Sequence, residues 1–242
     1  MRHDLLARAQ QAGFSALLVT VDVPVSSRRE RQRRAGVAMP PAITPKLIAD
    51  LVSHPFWSLA LLRNGQPRFK TLEKYASAED LANVAGFVNR ELNGRISPDI
   101  LVDIRKHWQG PMLVKGVLTA QDIEVSLDAG ADGLVVSNHG GRQLDIAPAA
   151  IDLLPQLLET INGRTPVVYD SGVRSGADIA RVLALGADFV LLGRAFLFGV
   201  GALGPAGGTH TFTILKDELV NVMGQLGCNT IADLPKTLAG IF

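Results

Sequence analysis

The chain has 242 residues, a net charge of +1 and hydrophobic residues at 47% of its positions. This composition is typical of a globular protein, and so small a net charge gives no global field that would attract nucleic acid. The single cysteine, Cys228, excludes an internal disulfide framework and a multi-cysteine metal site, and we predict no metal centre. No signal peptide or bilayer-spanning apolar run is apparent, which favours the cytoplasm.

Apolar strands alternate with amphipathic helices along most of the chain. After an opening helix at 4–12, five strands are predicted at 16–21, 112–115, 133–137, 166–170 and 189–193. Helices are predicted between the last four strands, and a long helix closes the chain; these lie at 119–129, 148–161, 175–185 and 211–226. Two of the helices are followed by similar tags, Ala-Gly-Ala-Asp at 129–132 and Leu-Gly-Ala-Asp at 185–188, in which glycine ends the helix. Strands that alternate with helices predict a parallel sheet.

The number of strands bears on the architecture. A closed (β/α)8 TIM barrel has eight parallel strands, so five strands predict an incomplete barrel that covers about barrel strands 4 to 8. The opening helix has no strand before it and would belong to an earlier βα unit. We therefore expect a fragment of a longer enzyme or a shortened relative. Alone it could not close a barrel, and it would aggregate or need a partner.

The long segment between the first two strands interrupts this alternation. We predict a single domain over 1–242 with an excursion at 38–98, after barrel strand 4, in which prolines recur. Within the excursion, residues 43–62 are rich in Leu, Ile, Trp and Phe and carry few charges. They could form a buried cap helix, a subunit contact or a helix on a membrane surface, and the first two are favoured.

The most informative stretch is 137–145, with the sequence SNHGGRQLD, directly after the third predicted strand. In a parallel α/β protein, chemistry takes place at the carboxyl ends of the strands. His139 could accept a proton near neutral pH, and Arg142 could hold a carboxylate through two hydrogen bonds. The two glycines between them would let a ligand approach the backbone. A polar turn with a surface histidine is the simpler interpretation, and the neighbouring residues argue against it.

The other strand ends also carry polar residues. Asp22 follows the first strand, and the basic cluster at 28–31 comes after it; this cluster could be solvated or RNA-facing, but an anion site is favoured. Lys115 ends an otherwise apolar strand and should meet a negative partner. Glycines and arginines follow the fourth and fifth strands. With the helix N-termini beside them, the stretches at 169–176 and 193–194 predict a phosphate site.

Together these motifs resemble those of the FMN-dependent L-2-hydroxy-acid dehydrogenase and oxidase family, which includes L-lactate dehydrogenases, (S)-mandelate dehydrogenase and glycolate oxidase. The resemblance covers essentially the whole chain. It is carried by TVDVP at 20–24 with RRE at 28–30, LVKG at 113–116, SNHGGRQLD at 137–145, DSGVRSG at 170–176 and LLGRA at 191–195. The family's first three barrel strands, with two substrate-facing tyrosines, have no counterpart here.

The resemblance implies that a lactate-like L-2-hydroxy acid is oxidised to the 2-oxo acid with FMN as the cofactor. His139 would be the base and Asp22 its partner, and Arg142 and Arg29 would hold the substrate carboxylate. Thr20 and Ser137 would touch the flavin ring, and Lys115 would lie near its N1 side and stabilise the anionic reduced ring. Asp170 would bind the ribityl chain, and the phosphate would be held by Gly172, Arg174, Gly193 and Arg194. Hydride transfer and proton abstraction from the α-carbon are both open.

The resemblance also implies partners and leaves alternatives. It implies an electron acceptor (quinone, cytochrome or oxygen), a homotetramer, and possible contact with the inner membrane through 43–62.

A mandelate dehydrogenase or a glycolate or 2-hydroxy-acid oxidase of the same family is the alternative activity. A different phosphate-binding barrel, such as an FMN-dependent isomerase, would have no use for His139 with two arginines around a carboxylate. An inactive fragment folded onto a partner subunit is the non-enzymatic alternative.

Overall fold

The computed structural model describes residues 1–25, 27, 30, 34, 44–65, 70–77, 86–87 and 94–238. They belong to two compact units, one with Met1 and Val25–Gly94, the other with Arg2–Pro24 and Arg95–Phe242. The single domain over 1–242 stays a prediction. Much of the predicted excursion at 38–98 lies outside the described residues, and so does Arg29.

The second unit is built on a parallel sheet whose five strands are ordered as they follow one another in the chain. The strands are β1 (Leu17–Thr20), β2 (Met112–Val117), β3 (Gly133–Val136), β4 (Val167–Tyr169) and β5 (Phe189–Val190). β3 is buried along its whole length, as expected for a strand covered on both faces. The five predicted strands are therefore confirmed, although most are shorter than predicted.

The described helices are α1 (Arg2–Gln11), α2 (Pro45–Ser53), α3 (Pro55–Asn64), α4 (Lys70–Glu73), α5 (Pro98–His107), α6 (Ala120–Asp128), α7 (Ala150–Ile161), α8 (Gly176–Ala184), α9 (Arg194–Leu203) and α10 (Gly207–Gln225). α2, α3 and α4 belong to the first unit and the others to the second. Within the described part of the chain, no helix has the length and apolar character needed to cross a membrane.

Two of the helices between strands begin with the same reciprocal cap. Thr119 Oγ1 accepts the backbone N–H of Asp122, whose carboxylate accepts the backbone N–H of Thr119, at the start of α6. Ser175 and Asp178 form the same pair of bonds at the start of α8. Because each pair satisfies N–H groups that a helix leaves unbonded, these residues fix where the two helices begin.

The two similar tags perform the same structural task. Gly130 and Gly186 end α6 and α8 with φ of 84° and 111°, which favours glycine. Asp132 Oδ2 then accepts the N–H of Met112, the first residue of β2, at 2.9 Å. Asp188 Oδ2 accepts the N–H of Val167, the first residue of β4, at 2.7 Å. Each tag thus ends one helix and fixes the amino end of the neighbouring strand.

The structure corrects the predicted ends of two strands and adds one helix. β2 does not end at Lys115 but continues to Val117, with a shift in register around Gly116. β5 ends at Val190 rather than at 193. The helix α9 was not predicted, and its glycines are unfavourable in a helix. One of them, Gly199, allows α9 and α10 to pack closely, since a Cβ there would lie 2.7 Å from the carbonyl oxygen of Gly207.

A cluster of polar side chains joins α1 to α5. Asp103 Oδ2 accepts hydrogen bonds from Arg2 and His3, both at 2.8 Å. The pKa of Asp103 is lowered, mainly by the hydrogen bond from His3 and next by the one from Arg2. The rings of His3 and His107 stack with their centroids 4.0 Å apart. These groups lie close enough to hold a metal ion, but a guanidinium already occupies the carboxylate, so the cluster is best explained as a helix–helix contact.

Candidate functional site

His139 leaves the carboxyl end of β3 in a left-handed turn. The φ values of His139, Gly140 and Gly141 are 56°, 65° and 71°. This conformation costs a residue with a side chain roughly 1–2 kcal/mol, so the two glycines make the turn possible, whereas His139 bears the strain. The ring is directed at Asp22, with Nδ1 3.1 Å from Oδ1 and 3.3 Å from Oδ2.

Asp22 lies just after β1, where it packs against the bulge in β2. A Cβ added to Gly116, whose φ is 106°, would lie 2.7 Å from the Cβ of Asp22 and 2.8 Å from its Cγ. No side chain could occupy this space without moving the aspartate. Glycine at 116 therefore serves both the bulge and the approach of Asp22 to the histidine.

Lys115 has the negative partner that its sequence context requires. Its ammonium lies 2.7 Å from Asp170 Oδ2, at the end of β4, and donates to Ser137 Oγ at 2.6 Å. The Lys115 and Asp170 side chains are 14% and 19% exposed, and Ser137 is fully buried. An ammonium so little exposed is stabilised by this ion pair and hydrogen bond.

These groups border a cleft at the carboxyl ends of the strands. Its lining includes eight predicted site residues: Lys115, His139, Arg142, Asp170, Gly172, Arg174, Gly193 and Arg194. Arg142 is exposed at this cleft. Thr20 ends β1 opposite Lys115 in the sheet register. Eleven of the twelve predicted site residues are thus described at or beside these strand ends, and the twelfth, Arg29, lies outside the described residues.

The two glycine–arginine turns differ in what they offer an anion. Around the start of α8, Asp178 accepts the N–H groups of Arg174 and Ser175, and Glu218 accepts the N–H of Gly176. Burial acts to raise the pKa of Asp178, but these hydrogen bonds outweigh it and the pKa is lowered. The backbone N–H groups of residues 174–176 at the start of α8 are therefore all bonded within the chain, so this turn would offer a phosphate its arginine side chain rather than these N–H groups.

The second turn is more open to a ligand. α9 begins after Gly193, which has no side chain to cap it, and the cleft is lined by Gly193, Arg194 and Leu197 from this helix start. The side chain of Arg194 reaches back to the turn after β3, where it donates to the Gly140 carbonyl oxygen at 2.6 Å. An uncapped helix start beside two guanidinium groups, those of Arg174 and Arg194, could hold a phosphate.

Residues that sequence reasoning missed support the site from behind. Ser171, with φ of 95°, binds backbone N–H groups of the His139 turn. Tyr169 is buried and donates its hydroxyl to the Ser171 carbonyl oxygen at 2.9 Å. Burial, followed by the charges of Asp170, Asp152 and Asp178, raises the pKa of Tyr169 to about 12. The one sequence feature that could have indicated this role of Ser171 is its position between an aspartate at the end of a strand and a glycine.

Comparison with known proteins gives the relatives of this chain. A family described as FMN-dependent dehydrogenase matches residues 1–240. A putative L-lactate dehydrogenase of Mycobacterium tuberculosis (strain ATCC 25618 / H37Rv) is 38% identical over 230 residues, which are 95% of this chain and 54% of that protein. An L-lactate dehydrogenase of Yersinia pestis (strain Pestoides F) is 38% identical over 234 residues, covering 96% of this chain and 61% of the relative.

Solved structures give the same result for the fold. An (S)-mandelate dehydrogenase, described as a monotopic membrane protein, superposes with a TM-score of 0.88 at 36% identity and covers 96% of this chain and 61% of that one. A mandelate oxidase superposes with a TM-score of 0.74 at 31% identity, covering 96% and 58%.

The chain spans little more than half the length of the relatives it matches. The predicted fold, an incomplete (β/α)8 barrel, is confirmed by the sequential parallel sheet together with these relatives. FMN is the cofactor of the matched family, as the sequence motifs implied. Because the match extends over nearly every residue, the chain belongs to the FMN-dependent dehydrogenase family.

Proposed function

We propose that the protein oxidises an L-2-hydroxy acid to the corresponding 2-oxo acid, with FMN as its cofactor. The observation that carries this proposal is the pairing of His139 with Asp22 at the rim of a cleft that Arg142 also lines. A lactate-like substrate is the first candidate, because the relatives in two bacteria are described as L-lactate dehydrogenases. (S)-Mandelate is the second, because an (S)-mandelate dehydrogenase superposes with a TM-score of 0.88.

The residues of the cleft fit FMN. The uncapped start of α9 at Gly193, together with Arg174, Arg194 and the left-handed Gly172, offers backbone N–H groups and positive charge to the phosphate. Asp170 would accept hydrogen bonds from ribityl hydroxyls. Lys115, Ser137 and Thr20 come from neighbouring strand ends and would contact the ring. The positive charge of Lys115 would stabilise negative charge on the part of the reduced flavin ring nearest to it.

The chain's own residues would bind the substrate and move its proton. Oxidation of a secondary alcohol to a ketone removes two electrons and two protons, and FMN, when bound, would supply the acceptor for both electrons and for one of the protons. Arg142, together with Arg29, would hold the substrate carboxylate through planar, paired hydrogen bonds. His139 would take one proton at Nε2, because its Nδ1 faces Asp22. The Asp22 carboxylate would then stabilise the imidazolium that forms.

The test of this proposal is reduction of the bound flavin without oxygen. The protein as expressed from its gene is loaded with FMN, mixed with L-lactate or (S)-mandelate, and followed by the bleaching of the flavin absorbance. We expect bleaching by at least one of the two acids and not by the corresponding D-lactate or (R)-mandelate. No bleaching by any short or aromatic L-2-hydroxy acid would refute the proposed reaction. The preferred acid distinguishes the two candidates.

The sequence alone favoured a cap helix or a subunit contact for 43–62. We further propose that α2 and α3 rest on a membrane surface, because a structural relative is described as a monotopic membrane protein. A quinone acceptor would be available there; a cytochrome and oxygen are the other acceptor candidates. Ile48 and Val52 are exposed one turn apart on α2, and on α3 the side chains of Phe56 and Leu62 are 89% and 83% exposed. Exposed apolar side chains on short helices suit the boundary between lipid headgroups and acyl chains. A homotetramer, as the family resemblance implies, is part of the same proposal.

Sedimentation with phosphatidylglycerol vesicles tests the membrane proposal. Phe56→Ser with Leu62→Ser should release the protein from the vesicles. Ile146→Ser is the matched control, because Ile146 is 88% exposed but lies in the other unit. Equal release by the control, or vesicle binding that survives the double change, would contradict the assignment. Light scattering of the same samples gives the oligomeric state.

A further inference from the structure

Ser171 is a strained residue whose presence the proposed chemistry does not explain. Its φ of 95° lies in a region where glycine is relaxed and a residue with a side chain is not. The next residue, Gly172, has φ of 80°. Glycine would adopt the conformation at position 171 with less strain. The serine there indicates that its side chain makes interactions that outweigh the strain.

The Ser171 hydroxyl binds the turn that carries His139. Its Oγ accepts the backbone N–H of Asn138 at 3.2 Å and that of Gly140 at 3.1 Å, the residues on either side of the histidine. It donates its own proton to Asp170 Oδ1 at 2.8 Å. Because a hydroxyl offers one donor and two acceptor positions, all of its hydrogen-bonding capacity is used here.

A second serine holds the same turn. Ser137 Oγ accepts the backbone N–H of His139 at 3.0 Å and a bond from the Lys115 ammonium at 2.6 Å. Three consecutive N–H groups, from 138 to 140, are therefore bonded to two serine hydroxyls. Each hydroxyl is also bonded to one member of an ion pair: Ser137 to Lys115, and Ser171 to Asp170. Lys115 and Asp170 bind each other. The strained backbone of His139 thus depends on bonds from outside the turn.

We propose that Ser171 is a positioning residue for His139. By binding the N–H groups on both sides of the histidine, its hydroxyl keeps the left-handed turn in the conformation that directs the ring at Asp22 and the cleft. The inference rests on the proposed function, because it concerns the alignment of the same histidine. Loss of the hydroxyl would leave two N–H groups of the turn without their acceptor, and the ring would spend less time in the reactive orientation.

Two substitutions of Ser171 separate positioning from stability. Ser171→Gly and Ser171→Ala both remove the hydroxyl, but only glycine relieves the backbone strain. In the FMN-loaded protein we expect each to lower kcat by about tenfold, with a smaller change in KM. Thermal unfolding should show the glycine variant to be the more stable of the two. If the role were only structural, kcat would follow stability and recover in Ser171→Gly.

Hydrogen exchange provides a readout that needs no turnover. Peptides covering 137–145 should exchange faster in both variants than in the unaltered protein. Asn162→Gly is the matched control: Asn162 is left-handed with φ of 47° at the end of α7, so glycine relieves a similar strain away from the cleft. This control should change neither kcat nor exchange across 137–145.

The outcomes distinguish the two proposals. Unaltered kcat in Ser171→Gly, or unaltered exchange across 137–145 in both variants, would overturn the positioning role. If the unaltered protein oxidises no 2-hydroxy acid, the proposed function fails instead. Faster exchange in both Ser171 variants would then still show that the hydroxyl holds the turn, and unchanged exchange would refute it.

Discussion

Asp22 and His139 lie 117 positions apart in the chain, yet Oδ1 of the aspartate is 3.1 Å from Nδ1 of the histidine. Their side chains are 16% and 23% exposed, so the contact is only partly screened by water. A carboxylate at Nδ1 favours the tautomer that carries its proton there, which leaves Nε2 free to act as the base. The pair therefore joins the first and third described strands in one chemical unit.

Substitution of this pair should slow flavin reduction without releasing the flavin. We expect His139→Gln to lower the rate by about 10²–10⁴-fold, the usual effect of losing a general base. Asp22→Asn should lower it by about 10–100-fold, since it replaces a hydrogen bond to a carboxylate by a weaker one to a neutral amide oxygen. Rapid-mixing measurements with L-lactate or (S)-mandelate in the absence of oxygen give both rates. Rates near that of the unaltered protein, with flavin still bound, would remove the pair from the mechanism.

Arg174 should distinguish FMN from riboflavin, because only FMN carries a phosphate. We expect Arg174→Gln to weaken FMN binding by about 10–100-fold, the loss of a hydrogen bond between charged groups, and to leave riboflavin binding nearly unchanged. Fluorescence quenching of each flavin measures the two dissociation constants. Arg181→Gln is the control, because Arg181 lies on α8 with its side chain 73% exposed. An equal loss of affinity for both flavins would show that Arg174 does not bind the phosphate.

The aspartates of the two tags should contribute to stability independently of the chemistry. Asp188→Ala removes the acceptor for the buried N–H of Val167, and Asp132→Ala removes the acceptor for that of Met112. Each should lower the free energy of unfolding by about 1–3 kcal/mol, as expected for a backbone N–H left unsatisfied. Urea denaturation measures the loss. Because the tags lie at the amino ends of the strands, kcat of the folded fraction should not change.

Tyr169 should make the protein less stable at high pH. Burial raises its pKa from 10.0 to about 12. Between these values the tyrosine of the unfolded chain loses its proton while that of the folded chain keeps it, so the free energy of unfolding falls as the pH rises. Below pH 10 this contribution is fully present. Urea denaturation of the unaltered protein and of Tyr169→Phe across this range tests it: the decline should be shallower in the variant, and identical slopes would contradict the prediction.

The sequence was sufficient for the features that depend on local pattern. The five strands, the tags after α6 and α8, and the polar residues at the strand ends follow from alternating apolar and polar segments and from glycine positions. The sequence also indicated that Lys115 needs a negative partner. It could not identify Asp170 as that partner, since the pair meets only when β2 and β4 lie on either side of β3.

Features that depend on packing were missed. β2 continues beyond its predicted end, past the bulge at Gly116. In α9, Gly199 is required for close packing against Gly207, which a sequence pattern does not reveal. Ser171 gave no strong signal, because its bonds reach a turn more than thirty positions earlier in the chain. The carboxylate-binding role of Arg29 stays a prediction, as do the roles of the other site residues.

Position 116 bears no functional group, yet the identity of its residue constrains the reactive pair. A single methyl group there would displace Asp22, whose Cβ and Cγ lie within 3 Å of where the new atom would sit. Natural selection on activity should therefore act on this glycine as strongly as on the histidine. In relatives with alanine at position 116, Asp22 and His139 would no longer be in contact. We expect substitutions at positions 22 and 139 to accumulate in those relatives without further loss of activity.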